Sequence, residues 1–361
     1  VMKVLHLSYS KTSEDGGINI AIKQLINNNY HISNEWICNN TNPKILRDFE
    51  LLGKIKKSDF DLIHIHGLWR SQNRLAAFNP KSLKPFIITP HGMIDKWALS
   101  QSKFKKKIAI NFWEKKAFNN AKCIHALCQN EANEIRSLFP DIKIAVIPNS
   151  VSFPDLNKIK NLKPIWSKSF NESERILLFL GRFHKKKGIE QLLSAWKIFV
   201  SLNKSTKWRL VFIGYGDKEY LLKRIQEEKI NYVKLFGTIS GVNKDIVFNN
   251  SSAFILPSFS EGLPMAAIEA MTFKLPCLLS RQCNLSELYK TNDLLNAEPN
   301  IQSILNSLIN LNKFNQNELN KIGKINYDYV SKNFSSRIVS SKINELYNWI
   351  LGNSREPTFL F

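Results

Sequence analysis

Residues 176–196, "ILLFLGRFHKKKGIEQLLSAW", set the fold class. An apolar run of strand length, Ile176–Leu180, ends at Gly181. A basic loop follows, carrying Arg182, Lys185, Lys186 and Lys187, and it closes at Gly188. From near Ile189 the pattern becomes helical. A short apolar strand that runs through a glycine-flanked loop into a helix is the repeating unit of a parallel sheet covered on both faces.

The same unit recurs on either side. Apolar runs at 3–8 (KVLHLS), 61–65 (DLIHI), 85–89 (PFIIT), 123–127 (CIHAL) and 144–147 (IAVI) read as one set of strands. A second set covers 176–180, 209–213 (RLVFI), 233–236 (VKLF), 252–256 (SAFIL) and 276–279 (PCLL). Segments 17–28, 103–120, 188–203, 217–229 and 264–273 read as helices, and 315–352 as a helical tail. Between the sets, residues 153–174 lack periodicity and hold prolines, which predicts a linker. The expectation is an α/β chain of two Rossmann-like, doubly wound domains facing across a cleft. They would span 1–152 and 175–330, with residues 331–361 forming a C-terminal helix that returns toward the first domain. In such sheets ligands sit at the carboxyl ends of the strands.

Composition is that of a globular chain: 361 residues, 43% hydrophobic and 22% charged, long enough for two domains. The net charge of +21 is unusual; residues 1–170 carry 26 Lys/Arg against 13 Asp/Glu, or +13, leaving +8 for the rest. An excess of this kind suits an anionic partner such as a phosphate-bearing substrate, a membrane surface or nucleic acid. Five scattered cysteines show no CxxC or Cys/His metal spacing and predict a reduced, intracellular chain. No apolar run approaches the ~18 residues that span a bilayer. The opening "VLHLSY" reads as a strand, too short for a signal h-region.

Two strand-end loops carry the chemistry. After 176–180, Arg182 and Lys187 precede a helix N-terminus, where cations, backbone N–H groups and the helix dipole converge on a phosphate. After 252–256 comes "SFSEGLPMAAIEAM" (258–271). Gly262 permits close backbone approach, and Pro264 suits the first residue of a helix. The amides of Gly262, Leu263 and Met265 are then left for an anion. Glu269 is the only charge between Met265 and Phe273, so its carboxylate calls for a partner. Glu261 in the loop and Glu269 in the helix each suit a vicinal diol.

The pairing of "LGRFHKKKGIEQLLSAW" (180–196) with "PSFSEGLPMAAIEAM" (257–271) resembles the retaining nucleotide-sugar glycosyltransferases of the GT-B fold, family 4. Glu261 and Glu269 match its E-x7-E pair, and Arg182 and Lys187 its R-x4-K-G pair. The resemblance extends to Gly16-Gly17, "DLIHIHGLW" (61–69) and "TPHGMIDKWAL" (89–99), nearly the whole chain in the expected order. It implies that Arg182 and Lys187 bind the donor diphosphate and stabilise charge as the glycosidic bond breaks. Glu261 would bind the donor sugar's hydroxyls and Glu269 the ribose. Gly262, Leu263 and Pro264 would border sugar and phosphate. Gly17 would let backbone approach the phosphate and the acceptor, and His91 would face the reaction centre. Gly214 and Gly216, after a strand, would lie near the donor nucleotide. The resemblance further implies front-face transfer with no side-chain nucleophile, no metal and no cofactor beyond the donor. It points to a UDP- or GDP-sugar and a glycan or lipid-linked acceptor in bacterial surface-polysaccharide synthesis.

Other patterns are weaker. "GYGD" (214–217) lacks the third glycine of a dinucleotide fingerprint. "DFD" (59–61) precedes a strand rather than ending one, so it reads as a strand-entry turn. His64 and His66, two apart in a strand, are poor evidence for zinc, and His66 reads as a core or cleft-edge residue. "PNS" (148–150) replaces the Pro-Asn-Gly common in the family. Residues 96–122 hold eight lysines against Glu114, interleaved with aromatic and aliphatic side chains. That segment reads either as a membrane-docking basic helix at the inner face of a membrane or as a solvated domain helix. Two competing functions are a GT-B-fold nucleotide-sugar epimerase and a basic nucleic-acid-binding protein. No helix-turn-helix, zinc-finger or RNA-recognition pattern supports the latter, so no nucleic-acid partner is expected.

Overall fold

The computed structural model describes residues 1–11, 17–29, 31–39, 47–100, 102–285, 288 and 296–361; Gly16 lies outside the described residues. The chain divides into two units, Val1–Ser150 with Ser336–Phe361, and Val151–Ser335.

The first unit is built on a six-stranded sheet: β1 (Lys3–Ser8), β2 (Ser33–Cys38), β3 (Leu62–His66), β4 (Phe86–Thr89), β5 (Cys123–Ala126) and β6 (Ile144–Val146). The strands are parallel in the order β2-β1-β3-β4-β5-β6. Helices α1 (Gly17–Asn28), α2 (Arg47–Lys57), α3 (Ser71–Phe78), α4 (Lys96–Ser100), α5 (Lys103–Ala109), α6 (Lys115–Asn120) and α7 (Gln129–Leu138) connect them. Strand β2 is absent from the sequence-based set because "SNEWIC" lacks a continuous apolar run, as suits an edge strand. The other edge, β6, is covered by the C-terminal segment: Ile144 and Phe361 exchange backbone hydrogen bonds of 3.0 and 2.9 Å.

Period-2 alternation gives the two faces of this sheet different characters. One face carries Leu5, Leu7, Ile63, Ile65, Ile88 and Ile124 into an apolar core. On the other, Val4, Leu62, Ile87, Cys123 and Ala145 pack beneath the helix Ser336–Ile350, through Val339, Ile343 and Leu346. Two residues further along the same strands stand His6, His64, Thr89 and His125, all buried. The "HIH" of β3 thus places His64 and His66 on one face and Ile65 on the other.

The second unit holds a five-stranded parallel sheet of β7 (Arg175–Leu180), β8 (Trp208–Ile213), β9 (Val233–Phe236), β10 (Ala253–Leu256) and β11 (Cys277–Leu279). Its order is β11-β10-β7-β8-β9. Between and after the strands come α8 (Ile189–Leu202), α9 (Lys218–Glu227), α10 (Val242–Asn249), α11 (Met265–Thr272), α12 (Ile301–Lys313) and α13 (Gln316–Phe334). Trp196, Phe199, Phe179, Phe212 and Phe254 fill the core, each contributing roughly 1.5–3 kcal/mol by burial. The chain leaves β7 toward β8 on one side and returns through β10 on the other, so the switch point lies between β7 and β10.

Several expectations change. Residues 153–174, expected as a linker, fall within the second unit, where Trp166 joins the core and Ile159 is buried. The helical tail breaks at Ser335, whose ψ of 145° is extended, into α13 and α14 (Ser336–Ile350). The returning helix therefore begins at 336 rather than 331, and it belongs to the first unit. The helix expected over 103–120 is interrupted by a π-helical turn, Ile110–Glu114. Such a turn rotates the following side chains relative to a regular helix. Here it carries Glu114 inward, where it is buried.

Candidate functional site

The carboxyl ends of β7 and β10 are stitched together. Gly188 has φ +68°, and an added Cβ would lie 2.0 Å from the Pro257 carbonyl oxygen. Only glycine fits there. Phe259 N donates to Lys186 O at 2.8 Å, fixing the two loops side by side. Lys187 Nζ then lies 2.6 Å from Glu261 Oε1, with the ammonium largely and the carboxylate almost wholly buried. Ser258 Oγ donates to the same carboxylate oxygen. The backbone of Glu261 is held from behind: its N–H donates to Gln282 O at 3.1 Å, and Asn284 Nδ2 donates to its carbonyl at 2.6 Å. Beneath it, burial and the Glu261 charge push the Cys283 thiol up to about 12, so this cysteine is inert.

Arg182 is exposed and has no partner among the described residues. It adds to a positive loop: burial first, then Arg182 and Lys186, hold His184 below the ordinary imidazole value. Glu269, the fifth residue of α11, is paired with Lys244 of α10 at 2.7 Å; both are mostly buried. Pro264 is the cap of α11 rather than its first residue, because its ψ of 73° is not helical. Met265 N is committed to Leu263 O at 3.0 Å, so this amide is not left for an anion.

Gly214 and Gly216 answer to the backbone beside them. A Cβ at Gly214 would lie 1.8 Å from Gly181 O, and one at Gly216 2.5 Å from Phe183 O. Their loop pairs with the basic loop through Phe183 N to Tyr215 O at 2.6 Å. A cavity of about 550 Å³ opens beside them, lined by His184, Lys185, Glu190, Asp217 and Tyr220, but it takes in none of Lys187, Glu261 and Glu269.

In the first unit His91 follows β4 in a left-handed conformation, φ 55°. Glu131 holds this turn: its Oε1 accepts from Gly92 N at 2.6 Å and its Oε2 from Leu127 N at 2.7 Å. Burial pushes the Glu131 carboxyl up to about 7 against those two bonds. Glu114 plays the same part for the turn after β3, accepting from Trp69 N at 2.6 Å and Trp113 Nε1 at 3.0 Å. It too is raised by burial to about 7. His91 is joined at 3.1 Å to His66, which is joined at 3.0 Å to His6. Gly17 opens α1 with no atom within 4 Å of an added Cβ.

Two family models match, Glycosyltransferase Family 4 over residues 19–153 and Glycosyl transferases group 1 over 163–328. The chain belongs to the GT-B glycosyltransferases of family 4. A Klebsiella pneumoniae protein described as an uncharacterized 41.2 kDa protein in the cps region is 25% identical, over 80% of this chain and 83% of that one. The Escherichia coli UDP-Gal:alpha-D-GlcNAc-diphosphoundecaprenol alpha-1,3-galactosyltransferase is 28% identical, over 74% of this chain and 72% of its own. Anabaena HepE, solved in complex with UDP and glucose, superposes with a TM-score of 0.75 at 15% identity, over 96% of this chain and all of that one.

In this glycosyltransferase the motif residues Lys187 and Glu261 meet directly, while Glu269 stands apart with Lys244. Sequence reasoning missed Lys244, Ser258 and Asn284, because single polar residues in "GVNKD", "PSFS" and "QCN" carry no spacing signal. It also missed Glu114 and Glu131 as supports of the strand-end turns. Among the described residues, His6, His64 and His66 have metal-like spacing, with ligand nitrogens within 4.8 Å of one another. Both nitrogens of His64 are already bonded, to the Tyr347 hydroxyl at 2.7 Å and Thr89 Oγ1 at 2.6 Å. No helix among the described residues is long and apolar enough to cross a membrane.

Proposed function

We propose that this glycosyltransferase is a retaining, metal-independent enzyme of surface-polysaccharide synthesis. It transfers a hexosyl group from a UDP- or GDP-sugar to a glycan or polyprenyl-diphosphate-linked acceptor. The observation that carries the reading is the Lys187–Glu261 contact of 2.6 Å beside the unpartnered Arg182, at the switch point of the second sheet. It sets an ammonium suited to phosphate against a carboxylate suited to sugar hydroxyls. As the bond from the anomeric carbon to the phosphate oxygen breaks, charge builds on the diphosphate, and Arg182 and Lys187 stabilise it. The acceptor hydroxyl attacks that carbon and its proton passes to the departing phosphate. Glu269 takes the ribose hydroxyls, and His91 presents its imidazole to a substrate hydroxyl. The polymer class follows the cps-region and diphosphoundecaprenol relatives.

The test is the anomeric configuration of the product, read by NMR after incubation with a panel of UDP- and GDP-sugars in the presence of chelator. Retention of the donor's configuration is expected; inversion, or loss of turnover restored only by a divalent ion, contradicts the reading. Arg182→Ala should lower turnover at least about a hundredfold while the chain stays folded.

A lipid-linked acceptor requires the enzyme at a cytoplasmic membrane face, and one surface suits it. Phe104, Ile108 and Phe112 are exposed at successive helical turns, flanked by exposed Lys103, Lys105, Lys107, Lys115 and Lys116. Apolar side chains edged by lysines bind anionic bilayers through burial and charge together. Vesicles containing anionic lipid should co-sediment the enzyme, and Phe104→Ser/Phe112→Ser should abolish this. Equal binding to neutral vesicles would contradict the proposal.

A further inference from the structure

His6, His64, His66 and His125 of the first unit are not used by the transfer chemistry, yet their hydrogen bonds, one of them to His91, form two lines with fixed direction. The first begins at Asn34. Its Nδ2 donates to Ile32 O at 2.9 Å, which orients the amide so that Oδ1 faces His6 Nε2 at 3.0 Å. His6 Nε2 must therefore carry the proton and Nδ1 must accept. His6 Nδ1 meets His66 Nε2 at 3.0 Å, so His66 donates there and accepts at Nδ1. His66 Nδ1 meets His91 Nε2 at 3.1 Å, so His91 donates there. The second line begins at the Ile147 carbonyl, which accepts from His125 Nε2 at 2.7 Å. Thr89 Oγ1 then donates to His125 Nδ1 at 2.8 Å and accepts from His64 Nε2, whose Nδ1 accepts from the Tyr347 hydroxyl. The rings of His64 and His66 stack at 4.0 Å, joining the lines side by side.

We infer that His6 and His66 are positioning residues that lock His91 as the Nε2–H tautomer, leaving its Nδ1 as a bare acceptor for a substrate hydroxyl. His91 ends the row, its ring centroid 5.3 Å from that of His66, and its Nδ1 has no partner among the described residues. A free imidazole in water exchanges between two tautomers; the line holds His91 in one of them. Burial keeps the row neutral, which the single direction of donation requires: it holds His6 at about 4 and His91 at about 3. Both nitrogens of His6, His64 and His66 are already hydrogen-bonded, so a metal held by the three would have to break a bond at each ring. The presentation to substrate rests on the proposed function, whereas the tautomer itself does not.

Long-range 1H–15N correlation of the full chain labelled with 15N-histidine tests it, with His91 assigned through His91→Gln. The wild type should show His91 protonated on Nε2 alone. His6→Leu should give a mixture of His91 tautomers and lower kcat about tenfold with donor KM within about twofold, the direction expected when a catalytic imidazole loses its orienting partner. His6→Gln, whose carboxamide oxygen accepts from His66, should restore both. A proton on His91 Nδ1 in the wild type, an unchanged tautomer in His6→Leu, or one stoichiometric zinc per chain overturns the positioning role. Normal turnover by His91→Ala overturns the presentation to substrate while leaving the tautomer result intact.

Discussion

Glu269 stands in an otherwise apolar helix and is satisfied by Lys244 at 2.7 Å. The demand for a partner is legible in the sequence, since a lone carboxylate among Met265, Ala266, Ala267, Ile268, Ala270 and Met271 must be compensated. The partner is not legible, because it comes from a different helix 25 residues away. Lys244→Met should cost about 1–2 kcal/mol in urea unfolding, less than a fully buried pair because both groups keep some water. Glu269→Gln in that background should recover most of it, and strict additivity of the two changes would show that the contact is energetically silent. Gly188 makes a sharper case. Alanine there must adopt φ +68° with its Cβ 2.0 Å from a carbonyl oxygen, so Gly188→Ala should destabilise by at least about 3 kcal/mol. A melting temperature unchanged in that variant would contradict the stitching of the two loops.

At the scale of elements, strands with continuous apolar runs are legible to within a residue or two, as with 176–180 against β7 (Arg175–Leu180). Edge strand β2, whose polar and apolar residues mix, and helices α2, α3, α4, α7, α10 and α12 lie outside the segments read from the sequence, although α2, α7 and α12 each carry an apolar stripe at helical period. The segment 103–120 has strong helical character, yet nothing local announces the π turn. Its cause is tertiary: the Glu114 carboxyl serves Trp69, a non-glycine residue at φ 68°. Glu114→Gln should keep the turn, since an amide oxygen still accepts from Trp69 N–H, whereas Glu114→Ala should cost about 1–3 kcal/mol by stranding a buried donor. Equal stability of the two variants would show that the bond is dispensable.

For the whole molecule, the histidine row sets the response to acid. His6, His64, His66, His91 and His125 are all held below the ordinary value by burial, His6 and His125 at about 4. The unfolded chain takes up those protons below about pH 6.5 and the fold does not, so stability falls as pH drops from there toward 4. Glu114 and Glu131, raised to about 7, work the other way: their contribution is full at low pH and fades as pH rises from about 4.5 to 7. Five groups outweigh two, each worth up to about 1.4 kcal/mol per pH unit. The first unit should therefore lose several kcal/mol between pH 7 and pH 5 in denaturant unfolding, and a flat profile would contradict a neutral row. The two-domain α/β class and the motif loops were open to sequence reading because they rest on local runs. The histidine row was not, since it needs the register of β1, β3, β4 and β5.

The central claim is that Lys187 and Glu261 grip one nucleotide-sugar. It is tested most directly by isothermal titration of the UDP- or GDP-sugar that the wild type turns over into folded wild type, Lys187→Ala and Glu261→Gln. Lys187→Ala should weaken both the sugar nucleotide and the bare nucleoside diphosphate at least about tenfold, as loss of a charge-assisted phosphate contact does. Glu261→Gln should weaken only the sugar nucleotide. Equal affinity across all three proteins would contradict the account.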